Sequence, residues 1–184
     1  MFILKKKYFL IIENIKDINL KNIKKRNKFN IIYRNKKNNE NTSDLLIFRK
    51  NCKLKSIKFY VANDTKLSVL LNSDGIYLSA SNKSLKTLSL KRSNFEIIGS
   101  AHNIREISMK IKQGCKSILL SKLFMVDYDK KAPFMGVTKF NNLLKFNETL
   151  IPLGGINENN INSLNMINST GFALMSEIKK KPTK

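Results

Sequence analysis

The chain has 184 residues, enough for one domain with a substantial core, and its 42% hydrophobic content excludes a chain disordered by composition. Its two cysteines, Cys52 and Cys115, lack the spacing of a disulfide framework or a zinc site. Lysine and arginine number 35 against 13 acidic residues, a formal charge of +22 that raises a polyanion as partner. The lysines are scattered, however, and they accompany an excess of asparagine and isoleucine, the bias that A/T-rich codons produce. Drift in composition therefore accounts for the charge, and no helix-turn-helix or RNA-binding signature is found, so no specific nucleic-acid partner is expected.

Taken in order, residues 8–12 are an apolar, β-rich run, read as a first strand. The run is too short for a signal-peptide core, Glu13 follows it, and no stretch reaches the length of a membrane span. A soluble cytoplasmic protein without a membrane partner is the expectation. Residues 17–25 have weak helical character, and a second apolar run at 29–33 ends in Arg34-Asn35-Lys36. A polar loop over 37–43 leads to a short element at 44–49. The third strand, 57–62, ends in Asn63-Asp64, and a short helix at 66–71 follows. Ser73-Asp74-Gly75 turns into a fourth strand at 76–78, which ends in Ser79-Ala80-Ser81-Asn82. A fifth at 95–99 ends in Ser100-Ala101-His102. Residues 104–113 read as a helix with Ile104, Ile107, Ser108 and Ile111 on one face and Gly114 as its C-terminal stop. Strand six is 117–120, a long loop runs over 121–136, and 141–146 is helical.

The last thirty residues carry the clearest unit. An apolar strand through Leu153 is stopped by Gly154-Gly155. Asn157 is an N-cap candidate for a following helix, in which Ile161, Leu164 and Ile167 keep roughly a helical period. A final strand at 172–175 stops at Ser176. Strand, glycine turn, helix and strand imply a parallel pair with a right-handed crossover. Eight such runs at about 23 residues each favour a compact (β/α)8 TIM barrel of short helices over an open doubly wound sheet, which usually has five or six strands. One domain over 1–184 is expected, with 179–184 as a basic tail.

The polar residues have a consistent place. Arg34, Lys36, Asn63, Asp64, Asn82, Ser100 and Lys122 each stand just after a strand's last apolar residue, at the end where a barrel keeps its chemistry. Loops are polar everywhere, so position alone decides nothing. The chemical match is what matters: an Arg and a Lys in one turn and an Asp in the next suit a pyrophosphate and Mg2+. The turns at Gly154-Gly155 and Met175-Ser176 would offer backbone amides to a phosphate, although any parallel α/β protein can contain one Gly-Gly turn. The single histidine, His102, reads as a helix-start residue rather than a base.

In this order the motifs resemble the thiamine phosphate synthase / TenI superfamily. The family's Gln-x-Arg-Glu-Lys is matched by Ile32-Tyr33-Arg34-Asn35-Lys36, and its Asn-Asp by Asn63-Asp64. Residues 73–82 match its Ala-Asp-Gly-Val-His-Leu-Gly-Gln-Glu-Asp, with Tyr77 at the histidine and Asn82 at the second metal-binding aspartate. Ile98-Gly99-Ser100-Ala101-His102, Gly154-Gly155-Ile156 through Asn160, and the closing 171–176 complete the likeness. The resemblance implies a Mg2+-dependent coupling of a pyrimidine pyrophosphate to a thiazole phosphate with loss of pyrophosphate. By it, Arg34, Lys36 and Asn63 would hold the pyrophosphate. Asp64 and Asn82 would stand at the metal, and Ser100, Lys130, Gly155, Met175 and Ser176 would bind substrate. The family's phosphate loop, Phe-x-Thr-x-Thr-Lys, reads Phe124-Met125-Val126-Asp127-Tyr128-Asp129 here, with Lys130 or Lys131 as substitutes after a short slip. The tautomerase branch's histidine is Lys122. A tautomerase-like or non-catalytic thiazole-phosphate binder is accordingly the alternative to a divergent synthase, and a homo-oligomer is left open.

Overall fold

The computed structural model describes residues 7–23, 28–35, 40–89, 94–126, 129 and 131–175. Eight parallel strands close in sequence order: β1 (Lys7–Ile12), β2 (Phe29–Tyr33), β3 (Lys58–Ala62), β4 (Gly75–Leu78), β5 (Glu96–Ala101), β6 (Ser117–Ser121), β7 (Leu150–Leu153) and β8 (Gly171–Leu174). β8 returns to β1 with Tyr8 opposite Phe172 and Leu10 opposite Leu174, so the expected (β/α)8 barrel is the fold. Among the described residues four α-helices lie outside it: α1 (Thr42–Leu54), α2 (Thr65–Leu70), α3 (Ile104–Lys112) and α4 (Gly136–Phe146). After β1, β4 and β7 the crossovers use short 3-10 segments, which is how so short a chain completes eight units. Among the described residues no helix is long and apolar enough to cross a membrane.

The alternation of side chains across each strand sorts the core into layers. Phe9, Ile11, Ile32, Tyr60, Tyr77, Ile98, Leu119, Ile151 and Ala173 point inward and fill the barrel. Their neighbours point outward, Ile31, Phe59 and Val61 against Leu45, Phe48 and Cys52 of α1, and Ile118 and Leu120 against Phe140 and Leu144 of α4. Each such burial contributes roughly 1.5–3 kcal/mol per large side chain. At the end where the strands begin, a polar cluster closes the barrel. Lys58 Nζ donates to Glu96 Oε1 at 2.7 Å, and the Tyr60 hydroxyl donates to Glu96 Oε2 at 2.6 Å. Burial pushes the Glu96 carboxyl up, but these two donors and the Lys58 charge outweigh it and hold the group below its ordinary range.

The structure departs from the sequence reading in several places: α4 spans Gly136–Phe146 against the helix expected at 141–146, and two 3-10 turns, Ile15–Asp17 and Leu20–Asn22, stand where weak helical character is expected over 17–25. The element expected at 44–49 is a helix of 13 residues, capped by Asn41 and buried along Leu45, Phe48, Arg49 and Cys52. β5 runs on through Ser100 and Ala101, which places Ser100 inside the barrel wall rather than in the loop beyond it. On α3 the buried residues are Ile107 and Lys110, whereas Ile104 and Ile111 are exposed. Gly99 beneath the helix leaves room for the lysine stem, so the buried stripe runs through Ile107 and Lys110 and leaves Ile104 and Ile111 outside it. Asn157 caps no α-helix: its Oδ1 takes the amides of Asn159 and Asn160, and a 3-10 segment follows at Ile161–Met166. The spacing of Ile161, Leu164 and Ile167 by threes is the repeat of a 3-10 turn.

Candidate functional site

At the C-terminal ends of the strands two hollows lie side by side. The first, of about 280 Å3, sits over the barrel axis and is lined by Arg34, Tyr77, Ser100, Lys122, Gly155 and Met175 among others. The second lies over β3 and α2 and includes Asn35, Asn63, Asp64, Thr65 and Lys66. Arg34, Ser79 and Ser81 line both hollows and form the wall between them.

The geometry of that wall begins with one residue. Asn63 leaves β3 with φ of 58°, a left-handed conformation that asparagine tolerates better than most side chains. Its backbone amide bonds the Tyr77 carbonyl at 2.8 Å, which locks the turn to β4. Its Oδ1 accepts from the Ser79 amide at 3.0 Å and from Asn82 Nδ2 at 3.0 Å. The turn over residues 79–82 is thereby fastened to the end of β3. Asp64 follows as the N-cap of α2, its Oδ1 accepting from the Leu67 amide at 2.9 Å. Its Oδ2 has no hydrogen bond from a described residue, and Asp64 lines the second hollow. Asn82 Oδ1 accepts from the Ser84 amide at 2.9 Å, so Asp64 supplies the one carboxylate among the residues lining this hollow.

Across the first hollow, Gly154 and Gly155 take φ of 93° and 70°. Their carbonyls accept from the Phe124 amide at 3.1 Å and from Asn160 Nδ2 at 2.6 Å. A side chain at Gly155 would place its Cβ 2.4 Å from the carbonyl oxygens of Phe124 and Met125, so only glycine fits where these loops meet. Lys122 forms an ion pair of 3.5 Å with Asp129 at the rim. Tyr77 rises from β4 into the floor. Burial raises its pKa, against the pull of a hydrogen bond with Ser100 and the charge of Arg34, so the phenol is protonated near neutral pH.

Of the residues expected at the site, Arg34, Asn63, Asp64, Asn82, Ser100, Gly155 and Met175 all lie at this end of the barrel, and all but Asn82 line one of the two hollows. Lys36, Lys130 and Ser176 lie outside the described residues. His102 begins α3: its backbone amide and Nδ1 both meet Glu106 Oε2, at 2.7 and 3.0 Å, beside the Asn103 cap. Tyr77, Ser79 and Ser81 were not singled out from sequence. Ser79 follows the last apolar residue of β4 and was open to the same rule as Asn63. Tyr77 lies within the apolar run, and nothing in the run marks its hydroxyl. Among the described residues no group of three or more His, Cys, Asp or Glu side chains gathers to hold a metal. One carboxylate oxygen without a protein donor nevertheless fits Mg2+, which commonly takes one or two carboxylates and completes its shell with water and substrate phosphate.

Comparison with known proteins adds a family. Residues 8–178 match the family described as thiamine monophosphate synthase, TMP-TENI. A thiamine-phosphate synthase of Prochlorococcus marinus (strain AS9601) is 31% identical over 129 residues, covering 69% of this chain and 37% of that protein. One from Clostridioides difficile (strain 630) is 25% identical over 151 residues, covering 77% of this chain and 71% of that protein. The chain thus spans well under half the length of the cyanobacterial relatives it matches. Among solved structures, a thiamine phosphate pyrophosphorylase from Pyrococcus furiosus superposes with a TM-score of 0.76 at 16% identity, over 97% of this chain and 90% of that one. The phosphoribosyl anthranilate isomerase of Thermotoga maritima gives 0.67 at 11%, over 97% of this chain and 92% of that one. At these identities both likenesses speak for the barrel alone.

Proposed function

The chain belongs to the thiamine monophosphate synthase family, and from that premise we propose that it joins a pyrimidine pyrophosphate to a thiazole phosphate, releasing pyrophosphate. The observation that carries this reading is the pair of adjoining hollows with Arg34, Ser79 and Ser81 as their common wall. A two-substrate transfer needs two anion sites whose reacting ends meet. The hollow over β3, with Arg34 and Lys66 as cations and Asp64 as its carboxylate, suits the pyrophosphate. The hollow over the axis, with Lys122 and the backbone at Gly155 and Met175, suits the thiazole phosphate.

In this reading the bond between the pyrimidine methylene carbon and the pyrophosphate oxygen breaks first, and its electron pair leaves with the pyrophosphate. The thiazole nitrogen then donates its lone pair to the methylene carbon. Arg34 stands between the hollows and holds the leaving group as its charge grows, a role that requires donors fixed in advance. Asn63 orients the 79–82 turn, and the family resemblance would add Lys36, Lys130 and Ser176 as anion-binding residues. Asp64, with Asn82 bonded to the neighbouring Asn63, would hold Mg2+, which would supply neutralisation of the pyrophosphate charge when bound. The partners are small phosphorylated molecules rather than nucleic acid or membrane, and the setting is the cytoplasm.

Purified protein given both substrates across a Mg2+ titration should form thiamine phosphate. Absence of product at every Mg2+ concentration, with thiazole phosphate still bound, would support the second reading, a non-catalytic or tautomerase-like binder. The Lys122–Asp129 pair favours that alternative, because it sets a carboxylate at the rim of the phosphate hollow.

A further inference from the structure

Lys110 is fully buried on α3 and makes no ion pair among the described residues. Its three N–H bonds are nevertheless all used. Nζ donates to the carbonyl of Ser79 at 2.7 Å, to the carbonyl of Asn82 at 2.6 Å and to Gln113 Oε1 at 2.9 Å. Gln113 is equally buried, and its Nε2 donates to the carbonyls of Asn82 at 3.1 Å and Ser84 at 2.8 Å. The lysine stem reaches these oxygens by crossing Gly99, where a Cβ would come within 2.7 Å of Lys110 Cδ. Burying an ammonium without a carboxylate is costly, and an apolar side chain of similar length would fill the same space without that cost. What the ammonium adds is its effect on the turn at 79–82, whose Asn82 amide also bonds the Ser79 carbonyl at 3.0 Å. The front of this turn carries Ser79 and Ser81, which face both hollows, and it is tied to Asn63.

We propose that Lys110, with Gln113, is a positioning residue for the pyrophosphate half of the site. It draws the carbonyl oxygens of Ser79 and Asn82 to the back of the turn, away from the face on which Ser79 and Ser81 line the hollows. The ammonium is also a fixed positive charge behind the wall, screened from solvent by α3. The identity of the anion rests on the synthase reading above, whereas the geometry of the turn does not.

The test is the binding of inorganic pyrophosphate with Mg2+, read by calorimetry on the full chain, with inorganic phosphate as the probe of the hollow at Gly155. Lys110→Met should weaken pyrophosphate by about tenfold or more, the usual effect of losing bonds from a charged donor. Phosphate affinity should stay within about twofold, and hydrogen exchange at residues 79–84 should quicken. Should Lys110→Met fail to fold, Gln113→Leu leaves the ammonium in place and removes its support, and a loss of about threefold is expected. A variant with a lowered Tm but unchanged pyrophosphate affinity, measured well below that Tm, would reduce Lys110 to a fastening for α3 and overturn the proposal. Wild-type protein that binds no pyrophosphate would overturn it too. Wild-type protein that binds pyrophosphate but makes no thiamine phosphate would instead overturn the synthase reading and leave this one standing.

Discussion

Asn82 Nδ2 donates across 3.0 Å to Asn63 Oδ1, the oxygen that also takes the Ser79 amide. The contact joins the ends of β3 and β4 through residues 19 apart in sequence, and it gives Asn82 a structural duty whatever it does toward a metal. Asn82→Asp replaces the donor by an oxygen facing an oxygen. The variant should lose about 1 kcal/mol in urea unfolding. It should also bind Mg2+ more tightly in the presence of pyrophosphate, because a second carboxylate then adjoins Asn63 at the edge of the hollow over β3. Lost stability with an unchanged Mg2+ dependence would show that the position acts through Asn63 alone.

Asp64 caps α2 with Oδ1 and also lines the hollow, and two substitutions separate these roles. Asp64→Asn keeps a capping oxygen, since asparagine caps as well as aspartate, and should leave the Tm nearly unchanged. Asp64→Ala should lose about 1 kcal/mol. Both should abolish Mg2+-dependent product formation. Turnover retained by Asp64→Asn would assign the residue to the cap and nothing more.

Two glycines with the same φ of 70° should respond differently to alanine. At Gly155 the new Cβ meets two carbonyl oxygens at 2.4 Å, whereas at Gly136 nothing lies within 4 Å. Gly136→Ala should cost about 1 kcal/mol for the left-handed backbone alone. Gly155→Ala should cost about 3 kcal/mol and also weaken inorganic phosphate, because the loops that meet there must separate. Equal losses by denaturant titration would mean that the 124–125 loop yields freely.

Acid should find the opposite end of the barrel. The folded pKa of Glu96 lies below its unfolded value, so its stabilising contribution is complete above about pH 4.3 and is lost as the pH falls through the folded value. Glu96→Gln should therefore be less stable than wild type near pH 7, and the two urea midpoints should converge as the pH falls below about 4.3. Curves that stay parallel through that window would show that the Lys58–Glu96–Tyr60 cluster adds no pH-dependent stability.

The barrel was legible because strands buried on both faces read as short apolar runs. β2 falls on residues 29–33 as read, and every other strand lies within two residues of its expected bounds. The helices were harder. α1 is anchored by Leu45, Phe48 and Cys52, but the exposed Leu46 and Ile47 between them blur the period, and contact with β3 settles its length. The mouth residues were legible by one rule, the first polar side chain after each strand, which found Arg34, Asn63 and Asp64. Their partners were not. The bond from Asn82 to Asn63 depends on a left-handed φ that no residue pattern announces. Lys110 reads as an ordinary helix lysine until Gly99 is seen beneath it.

That last contact also orders the history of two positions. A Cβ on Gly99 would stand 2.7 Å from Lys110 Cδ and 2.9 Å from Cys115 Sγ. A lineage that shortens the lysine first removes one of these obstructions before a larger residue arrives at 99, while the reverse order begins with both in place. The two sites are therefore epistatic: the penalty of Gly99→Ala should be smaller in a Lys110→Ala background than in wild type, and the double change should be less harmful than the sum of its parts. A glycine that sequence comparison would file under backbone flexibility is here a record of what its neighbour has become.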